Sequence, residues 1–462
     1  MADALSTQPK GGMGEELRFV SRFGGQIALS QLVQHLIVLT DIVMMAWLGG
    51  QSLGAGLLVS SVYVVVYVTS FGLLQGMMPM AARAAATGDA AALSVAVRLG
   101  QRLAVLASLI LGAVILGLAA LLEPLGYDAA FAGLAFGYAV CILPGYVLSV
   151  VLIALRNVLI ALGQTQLFGA ITIASALLNA GLNAVFGFGA LGGPDLGLAG
   201  IGLATTIVDI VLFALFGLLV RRALRGRTVP VTQAVAAQGG SILRVGVPTA
   251  AIFFIETSMF AGVLFIVGRS DIAFLTVLGL IFQYETLAMM VPIGLSQAAV
   301  QRASVAAASG AEAAARLRIV KRASLLLVAF YLLALALVQF GLHVNVPRLL
   351  ILGTLDAALL AELDQAQFYA FAIILLHAFV IVIAGILRGL EDVQSSLWIV
   401  AACYWGAGLG LAVALVELGG FDARVSLQIV TAAMLLSLLS ILFKLNSSLR
   451  HLRSGSWRAP NG

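Results

Sequence analysis

Charge is what this chain has least of. Asp, Glu, Lys and Arg make up 10% of its 462 residues, against about 25% in ordinary soluble domains. A soluble fold with 62% hydrophobic residues could not hide that surface and still present a charged coat. The same composition excludes a disordered chain, which needs low hydrophobicity and high charge. Cysteine is nearly missing. Cys141 and Cys403 both lie inside apolar runs, so the sequence offers neither a disulfide framework nor a cysteine metal site. Of the four histidines, no two stand at metal-ligand spacing. No Gly-rich phosphate loop is present, no Ser, His and Asp converge at one depth, and there is no room for a soluble ATPase domain. The chain is therefore read as no enzyme and as needing no cofactor; if it moves anything uphill, an ion gradient supplies the energy.

Long apolar runs are what the chain has instead. They fall at about 19–48, 56–80, 98–122, 130–153, 165–188 and 199–220, then at 245–268, 273–299, 323–343, 366–387, 395–417 and 425–445. A bilayer core takes about 20 apolar residues per helix. Continuous apolarity without period-2 alternation favours helices over barrel strands. The fold class is an all-α polytopic membrane protein with twelve transmembrane helices. The polar first 18 residues do not make a cleavable signal peptide, so the first span is expected to stay as an anchor.

With twelve spans and a cytoplasmic N-terminus, all but three of the 25 Lys and Arg fall on the cytoplasmic side. The exceptions are Arg269, Arg348 and Arg424. The asymmetry orients the protein with both termini in the cytoplasm. It also accounts for the net charge of +5 without a nucleic-acid partner.

The two halves echo each other. Asp41 corresponds to Glu256, the Ala-rich stretch around Arg83 to that from Arg302 to Gly310, and Leu155-Arg156 to Leu387-Arg388. The order runs in the same direction, and each half has an even number of spans, so the two lobes would be related by a pseudo-two-fold axis along the membrane normal. The expected organisation is a tail at 1–18, an N-lobe at 19–220, a linker at 221–239 containing Pro230, Thr232 and Gln233, a C-lobe at 240–445 and a tail at 446–462.

Ionisable residues inside spans are costly and point to function. Asp41, Asp209, Glu256, Glu285 and His377 are the candidates. A carboxylate in low dielectric has its charged form disfavoured, which suits proton or cation binding coupled to transport; helix-to-helix glue is the other reading. Asn179 and Asn183 are one turn apart on one helix face and either line a polar cavity with Asp41 or tie helices together. Gln31 and Gln34 pose the same choice. Phe253, Phe254, Tyr284 and Trp405 are either cavity-lining or packing residues.

Several segments resemble the multidrug and toxic compound extrusion (MATE) transporters, in their NorM-like branch. They are Ser30-Gln31-Leu32-Val33-Gln34 with Thr40-Asp41-Ile42-Val43-Met44; Leu155-Arg156, Gly163-Gln164-Thr165, Leu178-Asn179 and Asn183; Gly189, Pro194, Leu196-Gly197, Gly200 and Ala204-Thr205; Phe253 to Phe260 around Glu256; and Leu387-Arg388-Gly389 with Tyr404-Trp405. The resemblance implies a two-lobed exporter of small organic, often cationic and amphiphilic compounds. It would work by alternating access in exchange for H+ or Na+, as a monomer among membrane lipids. It also implies that Asp41 and Asn179 form the N-lobe site and Glu256 the C-lobe site. Where that branch carries an Asp, this chain has His377. Imidazole is a poor ligand for Na+ and titrates near physiological pH, so H+ is the expected coupling ion, with Glu256 the main proton carrier and His377 modulating it. Na+ at Glu256 is the alternative. Asn183, Gln34, Glu285 and Asp209 are left as substrate or cavity candidates. The branch's prolines near Gln26 and near Gly408 to Gly410 are missing. The competing functions are a lipid-linked precursor flippase of the same superfamily, which would line its cavity with Arg or Lys, and a polytopic membrane enzyme.

Overall fold

The computed structural model describes residues 12–229, 240–309, 312–349 and 357–453. The linker residues Pro230, Thr232 and Gln233, the turn at Gly310, and most of both expected tails lie outside the described residues. Twelve helices are long and apolar enough to cross a membrane, and no strand occurs among the described residues.

In chain order the α-helices longer than one turn are α1 (Met13–Trp47), α2 (Gly50–Leu74), α3 (Met77–Thr87), α4 (Ala90–Ala120), α5 (Ala129–Ala161), α6 (Phe168–Phe188), α7 (Gly197–Leu224), α8 (Gly240–Ser270), α9 (Ile272–Ala288), α10 (Met290–Ala307), α11 (Ala313–Ala336), α12 (Ala357–Gly389), α13 (Val393–Val400) and α14 (Val425–Arg453). The second span is α2 and α3 together, the eighth α9 and α10. Most helices outrun the apolar stretches that announce them. Their ends are set by local chemistry: Asp89, Asp128 and Asp271 cap α4, α5 and α9 by accepting backbone N–H groups, while left-handed Gly88 and Gly189 stop α3 and α6.

The eleventh span has no proline after Asp392. It leaves the α-helical path by winding as π-helix at Ala401–Gly410 and Val413–Leu418. Irregular winding there supplies the kind of distortion that a proline would otherwise bring.

The chain divides into two compact units. One comprises residues 29–250. Its most buried span is α5, which packs against α7, α4 and α2. The other comprises residues 1–28 and 251–462. Its most buried span is α12, which packs against α10, α14 and α9. These are the fourth and tenth spans, so each half is built around the same member of the echoed series. The unit borders fall inside helices. The first turns of α1 belong with the C-terminal unit, and the first turns of α8 with the N-terminal one.

The α1 segment is held in its unit by an ion pair. Glu16 and Arg302 on α10 form two hydrogen bonds of 2.7 and 2.6 Å, both side chains are buried, and the guanidinium lies 4.5 Å from the Phe19 ring centre. At the start of the loop side of α14, Arg424 meets Asp271, Glu362 and Asp422. The Arg424 backbone N–H donates to Asp422 and holds its carboxyl below the usual carboxylate range.

Candidate functional site

Each unit holds a buried polar group built on the membrane acids singled out in the sequence. In the N-terminal unit the group is Asp41 on α1, Asn179 and Asn183 on α6, and Thr205 on α7. Asn183 Nδ2 donates to Asp41 Oδ1 at 2.6 Å and lies 3.2 Å from Asn179 Oδ1. The Thr205 hydroxyl stands 3.4 Å from Asp41 Oδ2 and 3.1 Å from its own helix's Ile201 carbonyl. All but Thr205 are buried. The helical spacing of Asn179 and Asn183 puts both amides on the face turned to Asp41. Thr205 reaches the group because α7 runs very close to α6: a Cβ at Gly200 would collide with the Phe186 carbonyl. Asn179 Nδ2 and Asn183 Oδ1 have no hydrogen-bond partner among the described residues. Such atoms cost free energy when buried and unmatched, so the group is open to a further polar occupant.

In the C-terminal unit the group is Glu256 on α8, Glu285 on α9 and His377 on α12. His377 Nδ1 lies 2.6 Å from Glu285 Oε1, and Nε2 lies 3.9 Å from Glu256 Oε1. All three are buried. The second ring nitrogen has no hydrogen-bond partner among the described residues. Phe260, one turn from Glu256, and Tyr404 flank the imidazole, with ring centres 6.1 and 6.3 Å away. Phe282, one turn before Thr286 and three residues before Glu285, closes on Phe260 at 4.8 Å. The low-polarity wall strengthens every charge interaction inside it.

The sequence candidates therefore separate. Asp41, Asn179 and Asn183 come together, and so do Glu256, Glu285 and His377. Gln34 does not join Asp41. It accepts from Arg156 at 3.2 Å and faces the Tyr67 hydroxyl, in a network where Arg156 also donates to Ser30 and Ser30 meets Thr172 at 2.7 Å. Asp209 lies one turn beyond Thr205 on α7, against Gly145, where an added Cβ would come within 3.1 Å of its carboxylate. Phe254 and Trp405 are exposed and touch each other, and the Trp405 indole donates to Ser258. Tyr284 is buried and donates to Gln339, while Phe253 lies under the Arg388 guanidinium. Thr205 is the one member of either group that the sequence named only within a resembling segment and not as a site candidate. Its position one turn before the membrane acid Asp209 was the available signal. Among the described residues no three or more His, Cys, Asp or Glu side chains converge as a metal site would require.

Twelve apolar helices mark an integral membrane protein, and the carboxylates and imidazole on the buried faces of several of them suit the transporter class. Comparison with known proteins narrows this. The chain matches MatE in two stretches, residues 27–185 and 248–414, and it belongs to that family, the MATE transporters. The two stretches begin one in each half, as the internal echo requires. A probable multidrug resistance protein NorM of Geobacillus kaustophilus is 30% identical over 446 residues, covering 94% of this chain and 95% of the relative. One of Mesorhizobium japonicum is 30% identical over 447 residues, covering 91% of each. An outward-facing multidrug resistance MATE family transporter shares the fold with a TM-score of 0.83 at 16% identity, over 95% of this chain and 97% of that one. A transporter of the MOP superfamily from Pyrococcus furiosus does so with 0.82 at 18% identity over the same shares. The protein is thus a membrane transporter and not an enzyme.

Proposed function

We propose that this protein is a secondary active multidrug exporter of the bacterial inner membrane. It would expel small organic, cationic and amphiphilic compounds in exchange for H+, by alternating access of its two halves, with both termini in the cytoplasm. The observation that carries the coupling ion is the imidazole between Glu285 and Glu256. A ring nitrogen occupies the place beside Glu256 where a hard cation would need oxygen ligands, and the histidine is itself a proton-binding group. Glu285, first read as a cavity residue, is assigned in this reading to the coupling group, supported by its 2.6 Å contact with His377.

Asp41 is the second proton carrier in this reading. Its carboxylate is met by the Asn183 amide and the Thr205 hydroxyl, both able to donate to the charged form and to relax when it is neutral. Coupling requires that protons bind the two access states with different affinity. Asn179 and Asn183, with their unmatched amide atoms, are the first candidates for contact with substrate or water. Asp209 and Gln34 are secondary ones, because each is engaged elsewhere. A flippase for lipid-linked precursors would want cations free in a central cavity. The guanidiniums of Arg156, Arg302 and Arg388 instead lie beyond the apolar runs and are held by Ser30 and Gln34, by Glu16, and over Phe253.

The test is transport in proteoliposomes with a fluorescent organic cation, under a pH gradient or a Na+ gradient imposed separately. Movement driven by the pH gradient alone, and lost in Glu256→Gln, is expected. Movement driven only by Na+ keeps the exporter and overturns the proton assignment.

A further inference from the structure

Several basic residues near the helix ends of the C-terminal unit are paired with carboxylates. Arg302 is paired with Glu16, Arg316 with Glu312, and Lys444 with Asp392. Arg318, Lys321, Arg322 and Arg450 are different: none has a carboxylate partner among the described residues. All four line one cavity of about 490 Å³, whose other walls are Phe443, Asn446 and Leu449.

The cavity is the meeting of two helix faces. Arg318, Lys321 and Arg322 stand at i, i+3 and i+4 on α11, and Asn446, Leu449 and Arg450 repeat that spacing on α14. Lys321 Nζ donates to Asn446 Oδ1 at 2.6 Å, joining the two faces, and Arg318 is steadied by the Ala314 carbonyl. None of the seven lining residues is acidic. Four like charges around one cavity repel each other, and an anion held between them removes that cost.

The position of the cavity selects the anion. The apolar run of α11 begins just after Arg322, and that of α14 ends just before Asn446. The same two faces continue as Leu326 and Phe330 on α11 and as Leu439 and Phe443 on α14, 54–71% exposed. A basic hollow at headgroup level above an exposed apolar surface matches a molecule with a phosphate at one end and hydrocarbon at the other. We propose that this cavity is a binding site for an anionic phospholipid, its phosphate between Arg318, Lys321, Arg322 and Arg450 and its acyl chains along Phe443 and Leu439. This assignment is independent of what the protein transports.

The experiment measures lipid retention by native mass spectrometry and the thermal midpoint in neutral detergent. Additions are phosphatidylglycerol, phosphatidylcholine or inorganic phosphate. Phosphatidylglycerol is expected to stay bound and raise Tm, and phosphatidylcholine to do neither. Arg318→Gln with Arg450→Gln removes two exposed side chains and should weaken phosphatidylglycerol binding roughly thirtyfold, at about fivefold per charge. Arg318→Lys with Arg450→Lys should restore most of it. Arg221→Gln with Arg222→Gln, which removes two exposed charges from the end of α7, should leave binding unchanged. Equal retention of phosphatidylcholine, unchanged binding in the Gln pair, or an equal loss in the α7 control overturns the site. A full Tm rise with inorganic phosphate overturns the lipid as its ligand.

Discussion

His377 illustrates how one side chain can stand between two carboxylates that are far apart in the sequence. Its Nδ1 is committed to Glu285 and its Nε2 points toward Glu256 without reaching it. A group arranged this way has one fixed contact and one that a small shift or a proton could close. Glu256→Gln should therefore abolish pH-gradient-driven transport, by at least about tenfold, while leaving binding of a fluorescent organic cation to the detergent-solubilised protein within a few-fold. Glu285→Gln should change the pH profile of transport, since it removes the carboxylate that sets the charge and orientation of the imidazole. A profile identical to wild type would return Glu285 to a packing role. In the N-terminal unit, Asn183→Ala removes the 2.6 Å donor to Asp41 and the donor that Asn179 Oδ1 accepts from. pH-gradient-driven transport in the same proteoliposomes should fall by about tenfold, the factor that corresponds to about 1.5 kcal/mol, the low end for a hydrogen bond to a charged group.

At the scale of the helix, close approach decides where these side chains end up. Gly200 lets α7 lie against the Phe186 carbonyl of α6, and Thr205 follows one turn later on the same helix. Gly200→Val would force the helices apart. The expected cost is about 1–3 kcal/mol of stability, as for other overpacked contacts, read as a lower Tm in detergent together with reduced transport. Gly76 plays the same part between the broken second span and the first turns of α8, where a Cβ would meet the Ile242 carbonyl and the Gly246 backbone. The eleventh span shows the limit of reading bends from proline. It has none, and its irregularity lies in hydrogen bonding, as π turns among Gly406, Gly408 and Gly410.

For the molecule as a whole, α1 is the element to watch, because its first turns belong to one compact unit and the remainder to the other. Glu16 and Arg302 fasten those first turns. Breaking a buried pair leaves an uncompensated charge and typically costs about 3–5 kcal/mol. Glu16→Gln should lower Tm by several degrees, whereas Glu16→Leu combined with Arg302→Leu should recover most of the loss. Thermal unfolding of the three proteins in one detergent checks this. If the double variant is as unstable as the single, the pair contributes more than cancellation of its own charges.

The twelve spans, their helical character and the presence of acids inside them were all legible in the sequence, because a bilayer leaves few options. A segment crossing hydrocarbon must satisfy its own backbone and expose apolar side chains, so each span declares itself locally. The pairing of Asn179 with Asn183 was legible for a similar reason, since helical spacing alone puts them on one face. The tertiary structure decided the partners. His377 meets a carboxylate 92 residues away, and Gln34 turns to Arg156, 122 residues away, instead of to Asp41. These contacts depend on how each helix is rotated about its axis and how closely its glycines let a neighbour approach. Glu16, placed by its polarity in a tail, became part of a helix for the same reason: its partner, Arg302, lies 286 residues further along the chain.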